Sequence, residues 1–501
     1  MQFQFPPRSS KGAVLGFAWS QIFLVVAGII AAVIGLNLLT AGHRGSGAMA
    51  FATCGLLVTL GLLRMKGRRV TEWAPISAGA LLQRSNGQTQ YRGGPFGANP
   101  AHLNLPGPAA GYRWLPATAP DGTTEVGLLH HRKERTVTAA LVCYGANLIL
   151  ADRDVQDRRL TDWALVLQIL GSEYADAGLV RWSLMSRAVP DTGNRAQRYL
   201  INKAVDTSTA AYQSLAELTA AAAPAAQRHE TLLCVVFDVA KLSGEINDAG
   251  GTDAATAAVV LDRLDGIEAT VAEAGVSTGG WLSPRAYAAL IRTQFDPDDQ
   301  EAVDLRSSTT RSTSTQPGVE PRLAGPVAAR TIGWNTYQHD GAFSRTLWVA
   351  QMPRQSVSGT WLTPLYTRTT SRRTVTLVAQ PVPAALAQLA SRRDKVTQAG
   401  DELTQRKLRL VRTAREDDEA RAVEQIDREQ ARGHVRHRYA LLVTVTAPDV
   451  KALDRDVRAV KRLLSRAGCE AVSLAGEQDQ GFLAGALPLA RGLRPLRGWS
   501  A

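Results

Sequence analysis

Near its start the chain runs apolar for longer than any soluble helix needs. Residues 12–42 hold no Asp, Glu, Lys or Arg and are dense in Val, Ile, Leu and Ala. About 20 such residues cross a hydrocarbon core of roughly 30 Å. A second uncharged run, residues 45–63, is 19 residues long, and only His43 and Arg44 separate the two. The pattern predicts an antiparallel pair of membrane helices over about 13–39 and 46–63, within a membrane hairpin of residues 1–70. A cleaved signal peptide is the competing reading. Its apolar stretch should be only about 7–15 residues and should not lead into a second span. Arg8 and Lys11 precede the hairpin, and Arg64, Lys66, Arg68 and Arg69 follow it, against one Arg in the loop. By the positive-inside rule both termini face the cytoplasm, placing the protein in the plasma membrane as a two-helix, multi-pass chain. Gly12 and Gly16, then Ala27, Ala31 and Gly35, are small residues at helical spacing where another helix can approach closely. The amides of Gln21 and Asn37 must find a partner helix or the headgroup layer.

Beyond the hairpin the periodicity changes. Residues 71–115 are rich in Gly, Pro and Asn and read as a connector. Over 116–305 short alternating runs and longer 3.6-period stretches predict a first α/β domain. Its strands are expected at 112–117, 125–131, 136–144, 179–189 and 232–239, and its helices from Asp152 or Asp154, over 195–222 and 254–274, and from Pro284. Residues 306–318 are Ser/Thr-rich and predict a linker or loop. A second α/β region follows over 319–501, with strands at 329–337, 344–352, 374–380, 439–446 and 470–474. A charged helical pair is expected at 383–432. Leu389, Val396, Leu403 and Leu410 recur every seven positions there, but Arg393 and Lys407 occupy the companion seam, so a sustained coiled coil is not expected. The cleanest amphipathic helix carries Val450, Leu453, Val457, Val460 and Leu464, with Gly468 to end it. The expected fold class is α/β (α+β) cytoplasmic domains on an N-terminal transmembrane helical hairpin.

Composition narrows the chemistry. The net charge is +12, with 57 Lys and Arg against 45 Asp and Glu. Cys54, Cys143, Cys234 and Cys469 lack metal or disulfide-framework spacing and read as reduced thiols. No phosphate-cradling P-loop exists, so the apolar strand ending at Asp238 reads as a capped buried strand rather than part of a nucleotide site. Ser277 sits in a Gly-x-Ser-x-Gly string, yet a helix precedes it where a nucleophile elbow needs a strand. His130 and His131 are neighbours on a strand and point to opposite faces. His434 and His437 have no companion ligands. The basic runs at Arg372–Arg373, Arg392–Arg393 and 432–438 have only Tyr439 for base stacking, so solvent or a protein partner is favoured over nucleic acid. No catalytic residue, cofactor or metal is expected.

The layout has a likeness. The basic tail, the two linked membrane helices and the exit into Glu72-Trp73-Ala74-Pro75 resemble the PrgI-like inner-membrane subunit of type IV secretion and conjugation systems. Three later stretches resemble the non-motor half of a conjugation ATPase: Trp281 to Pro297, Arg436 to Pro448, and Gly481 to Gly492, the last with Ala490 where that family has Gly. Leu128–Arg135, Ala151–Trp163 and Val189–Thr192 are similar to an actinobacterial group of such proteins. The resemblance implies a fused conjugation membrane protein without a motor: a non-catalytic structural subunit whose partners are a conjugation-type ATPase, other secretion membrane subunits and the lipid bilayer, assembled as an oligomer. An EccE-like component of a type VII secretion complex is the second family it resembles, and the residues do not separate the two.

Overall fold

A computed structural model describes residues 5, 19–65, 68–87, 89–93, 103–145, 150–191, 194–222, 226–308, 317–407 and 414–493. Two apolar helices, α1 (Trp19–Thr40) and α2 (Arg44–Leu62), pack against each other and are long and apolar enough to cross a membrane. A two-residue ribbon, β1 (Arg64–Met65) with β2 (Arg68–Arg69), leads into α3 (Val70–Ser85) and β3 (Gln90–Arg92).

The next elements are β4 (Tyr112–Leu115), β5 (Leu128–His131), β6 (Thr136–Tyr144), α4 (Arg153–Gly171), α5 (Glu173–Asp176) and β7 (Leu179–Pro190). Then come α6 (Asn194–Lys203), α7 (Ala210–Ala222), β8 (Gln227–Asp238), α8 (Ser243–Asp248), α9 (Asp253–Glu273), β9 (Ser277–Trp281), α10 (Pro284–Phe295) and α11 (Asp299–Ser308). The second half repeats the plan with β10 (Ala328–Ile332), β11 (Thr336–His339), β12 (Ala342–Gln351), α12 (Thr363–Thr367), β13 (Arg372–Pro381), α13 (Ala384–Lys407) and α14 (Ala414–Ala431). It closes with β14 (His437–Ala447), α15 (Val450–Arg466), β15 (Glu470–Ser473) and α16 (Gln478–Gly485).

Strand pairing shows that the two halves are one motif used twice. In the first, the order is β9-β6-β8-β7; in the second it is β15-β12-β14-β13. Both are antiparallel βαββαβ units of ferredoxin-like order. Each is preceded by a hairpin that pairs with the start of its first strand, β4–β5 on β6 and β10–β11 on β12. Each carries two extra helices between its second and third strands, α6–α7 and α13–α14. Local devices match too. Thr252 and Asp449 cap the equivalent helices α9 and α15, and Gly275 and Gly468 end them at φ +72 and +78. The units join through β7 and β13, where Leu184 lies opposite Leu377. Leu184 pairs with Leu233 in its own unit and Leu377 with Leu441 in the other. Leu184 and Leu377 are therefore equivalent residues, and a pseudo-two-fold axis passes through their pair.

The resulting sheet has 13 strands among the described residues and mixes antiparallel pairing with helices in an α+β arrangement. Of residues 306–318, expected as a linker, 306–308 end helix α11 and 309–316 lie outside the described residues; the sheet runs through both units. On one face α4, α5, α8 and α9 cover the first unit and α12 and α15 the second, over two separate apolar clusters. On the other face α10 and α16 share a single cluster with Leu103, Leu105 and Ala109 from the connector. The connector also supplies both outer strands: β3 pairs with β10 and β4 with β5. Two expectations need correction. The single helix expected over 195–222 is broken at Ala204–Thr209, where Asp206 turns the chain by accepting from Ser208. The single strand expected over 329–337 is a hairpin with Gly333 at φ +58 in its turn.

Under α16 the sheet surface is a ladder of hydroxyls. Thr346 bonds Thr444 at 3.0 Å and Ser344 bonds Thr446 at 2.7 Å. The helix can lie on this ladder because Gly481 and Gly485 face it; a Cβ at Gly485 would sit 2.6 Å from Thr444 Oγ1. Its terminal carbonyls are capped from outside, Gly485 O by Thr376 at 2.9 Å and Ala486 O by Gln294 at 2.7 Å. Tyr287 donates to Pro488 O. Ala490 is fully buried at φ +45, the left-handed region that disfavours a Cβ. Ala490→Val is expected to cost at least about 2 kcal/mol, from strain and overpacking together. Ala490→Gly should stay within about 1 kcal/mol of the parent, since relief of strain offsets lost burial and added chain entropy. Urea midpoints of the two variants check the asymmetry.

His339 joins this network. Its Nδ1 donates to Phe295 O at 2.5 Å, so neutral Nε2 accepts from Ser344 Oγ at 2.7 Å. A second proton would turn Nε2 into a donor and reverse the hydroxyl chain. Burial holds His339 down to about 4. The unfolded side chain titrates near 6.5, so the unfolded state binds the extra proton first as pH falls. Stability supplied by the neutral ring is thus present above about 6.5 and is lost between there and about 4. The difference in unfolding free energy between the parent and His339→Gln should shrink by about 3 kcal/mol across that window; a pH-independent difference contradicts this.

Candidate functional site

In the hairpin, residues seven apart form one seam. Gln21, Gly28 and Gly35 on α1 face Gly61, Cys54 and Gly47 on α2. A Cβ at Gly35 would lie 3.2 Å from Gly47 O, one at Gly47 would lie 2.6 Å from the Leu39 side chain, and one at Gly28 would lie 2.9 Å from Val58. The backbones approach this closely only because no Cβ intervenes. Gln21 is 2% exposed and donates to Gly61 O at 2.6 Å, so its amide is satisfied by the partner helix. Of the small residues expected to pack helices, Gly35 belongs to this internal seam, Ala27 and Ala31 are half-buried beside it, and Gly12 and Gly16 lie outside the described residues. Sequence reading missed Gly28, Gly47 and Gly61; their seven-residue step, shared with Gln21 and Cys54, was the available signal. Outside the seam, Phe23, Ile29, Ile30, Val33, Ile34 and Leu36 are exposed. Asn37 is exposed close to the turn. Arg64, Arg68 and Arg69 lie on the β1–β2 ribbon below α2, and Arg8, Lys11 and Lys66 lie outside the described residues.

The two helical arms are the other unpartnered features. Pseudo-symmetry puts them at opposite ends of the central strand pair, since α6–α7 follow the end of β7 and α13–α14 the end of antiparallel β13. Helices α13 and α14 touch through Ser391–Gln430 at 2.9 Å and Lys395–Asp427 at 2.6 Å. Leu389 and Val396 on α13 remain exposed. None of the residues of α7 is buried, and Leu215 and Leu218 stand in solvent.

The chemically suggestive side chains are engaged in structural contacts. Asp238 Oδ1 accepts from Ala240 N and closes a turn. Ser277 opens β9 opposite Tyr144, after a helix. His131 is buried between Pro108 O and Glu134 N, while His130 meets Arg113 at 2.9 Å. His434 lies in a turn against Glu429 and His437 begins β14 against the Trp182 ring, so the pair does not share a helix face. Burial pushes the thiols of Cys143 and Cys469 up to about 11 and Cys234 to about 12, which leaves them protonated and poorly nucleophilic. No group of three metal-ligating side chains occurs among the described residues. The Arg372–Arg373 run does not form a DNA-facing patch. Arg373 is 1% exposed and donates to the carbonyls of Tyr366, Thr369 and Ser371, pinning that loop from inside. Arg392 and Arg393 are exposed on α13.

No family model matches the chain, and no curated protein matches it. The seam gives the sharpest local test. Gly35→Leu should lower stability in detergent by about 1–3 kcal/mol through forced helix separation. Ile30→Ala on the outer face should change it by less than about 0.5 kcal/mol. Thermal melts of the purified variants compare the two.

Proposed function

We propose that this chain is an integral-membrane, non-catalytic structural subunit of a conjugative DNA-transfer or type IV-like secretion apparatus, which anchors and docks a separate motor ATPase at the cytoplasmic face. One observation carries the membrane placement: α1 and α2 satisfy their own polar seam and turn an apolar outer surface away from the rest of the protein. Only 11% of each candidate span is buried, and an aqueous hairpin would leave that surface in water at roughly 25 cal/mol per Å². Lipid removes the cost. The basic ribbon after α2 then fits an anionic inner leaflet, each cation near the surface contributing about 1 kcal/mol. The resemblance in sequence supports the apparatus, and the arms α6–α7 and α13–α14 are the docking candidates. Anchoring raises the effective concentration of tethered partners, so weak arm contacts suffice for assembly.

Alkaline carbonate extraction should leave the full chain in the membrane pellet, and protease added outside spheroplasts should spare a carboxyl-terminal tag. Release into the supernatant, or digestion of the tag, removes the placement. A photo-crosslinker at Val396, which is 73% exposed on α13, should capture a conjugation-type ATPase in cells. Capture of a type VII secretion component transfers the assignment to the EccE-like reading, and no protein adduct refutes docking by this arm.

A further inference from the structure

Where the two units meet, one end of the sheet encloses a cavity of about 370 Å³. It opens among the ends of β7 and β14 and the starts of β8, β12 and β13, under α11. Arg228 and Arg372 line its inner wall, and Arg187 stands behind them on the strand between. Arg187 pairs with Glu230 at 3.0 Å, and Arg228 pairs with Asp304 at 3.0 Å and with Glu230 at 2.8 Å. Arg372 is different. Its Nη2 donates to Thr293 O at 2.6 Å and to the Gln300 amide oxygen at 3.3 Å, both neutral acceptors. Its Nε is buried with no partner, and no carboxylate lies within ion-pair distance of it among the described residues. Arg187 and Arg228 are thus paired with Glu230 and Asp304, and of this trio Arg372, which lines the cavity beside Arg228, is the one without a carboxylate at ion-pair distance. Burial, reinforced by Arg187, pulls Arg372 down to about 9, so it remains charged at neutral pH. Glu230 and Asp298 attract it only from beyond ion-pair distance, and a desolvated cation without a direct ion pair is costly, so an anion that joins it recovers that cost.

We propose that this cavity binds a small ligand carrying one anionic group, a carboxylate or a phosphate, which completes the ion pair of Arg372. The mouth sets the rest of the specificity. Asp191, Asp298, Glu301 and Asp304 line it along with Arg198, and these carboxylates repel polyanions, so nucleic acid is disfavoured and a single anionic group is favoured. Val189 and Pro448 give the wall an apolar side for a compact body. The site uses strands from both units, so a bound ligand would bridge the seam between them. It does not depend on whether the hairpin spans a membrane.

The test uses the full-length protein in detergent, titrated with inorganic phosphate or with acetate at fixed ionic strength and followed by thermal melting. At least one anion should raise the melting temperature saturably, and the relative strength of the two identifies the preferred head group. Gln300→Glu places a carboxylate beside Arg372. That variant should melt higher than the parent without added anion and should bind the anion at least tenfold more weakly. Anions also stabilise proteins through surface exclusion, but that effect does not saturate and persists in the variant. A shift that is absent, unsaturated or unchanged in Gln300→Glu overturns the site.

Discussion

An unpaired strand edge is the constraint around which this molecule is built. Each βαββαβ unit, taken alone, would present its second strand as an open row of backbone donors and acceptors, a template for aggregation. The units close that edge on each other: β7 and β13 share seven register pairs, Leu184 with Leu377 among them. The connector closes the outer edges with β3 and β4 while its middle is buried under α10 and α16. A segment that looks like spacer is therefore part of the sheet's perimeter and of its core. The two units form a single hydrogen-bonded body, joined again on the helical side by the cluster that α10 and α16 share.

The same symmetry distributes function. The strands carry the repeat and the insertions carry the differences, since α7 is Ala-rich and apolar while α13–α14 is strongly charged. The two ends of the seam differ as well. At one end Glu134 is clamped between Arg181 at 3.0 Å and Arg491 at 2.6 Å, with charge satisfied inside the chain. At the other Arg372 has no carboxylate at ion-pair distance among the described residues, and a cavity remains. Near-symmetric scaffolds often acquire function where the symmetry fails, because only there does one copy leave a group unmatched.

Much of the element pattern was legible in the sequence, and for physical reasons. Strand β6 and helices α9 and α15 have strong periodicity, side-chain caps and glycine stops, so their limits can be read within a residue or two. The membrane-length helices announce themselves by absent charge. The duplication was not legible: it lives in strand order and register, while side chains such as Met185 and the Ser/Thr ladder of the second unit diverged. Leu103 and Leu105 were hidden among Pro and Gly, where burial has no period to reveal it. Arg372 and Arg373 show the reverse error. A pair of arginines looks like surface charge, yet the alternation of β13 sends one toward the cavity and the other into the fold. The cavity itself could not be foreseen, since its walls come from segments more than 250 positions apart in the chain.

The burial of residues 482–490 has a consequence for biosynthesis. Phe482, Leu487 and Leu489 complete the apolar cluster shared by both units, and Tyr287 and Gln294 of the first unit bind carbonyls within that stretch. The amino-terminal helices leave the ribosome first, with hundreds of codons still untranslated. The first unit must wait, its inner face uncovered, until the polypeptide reaches Ala490. A nascent chain stalled before that point would leave the face that Phe482, Leu487 and Leu489 cover open to water.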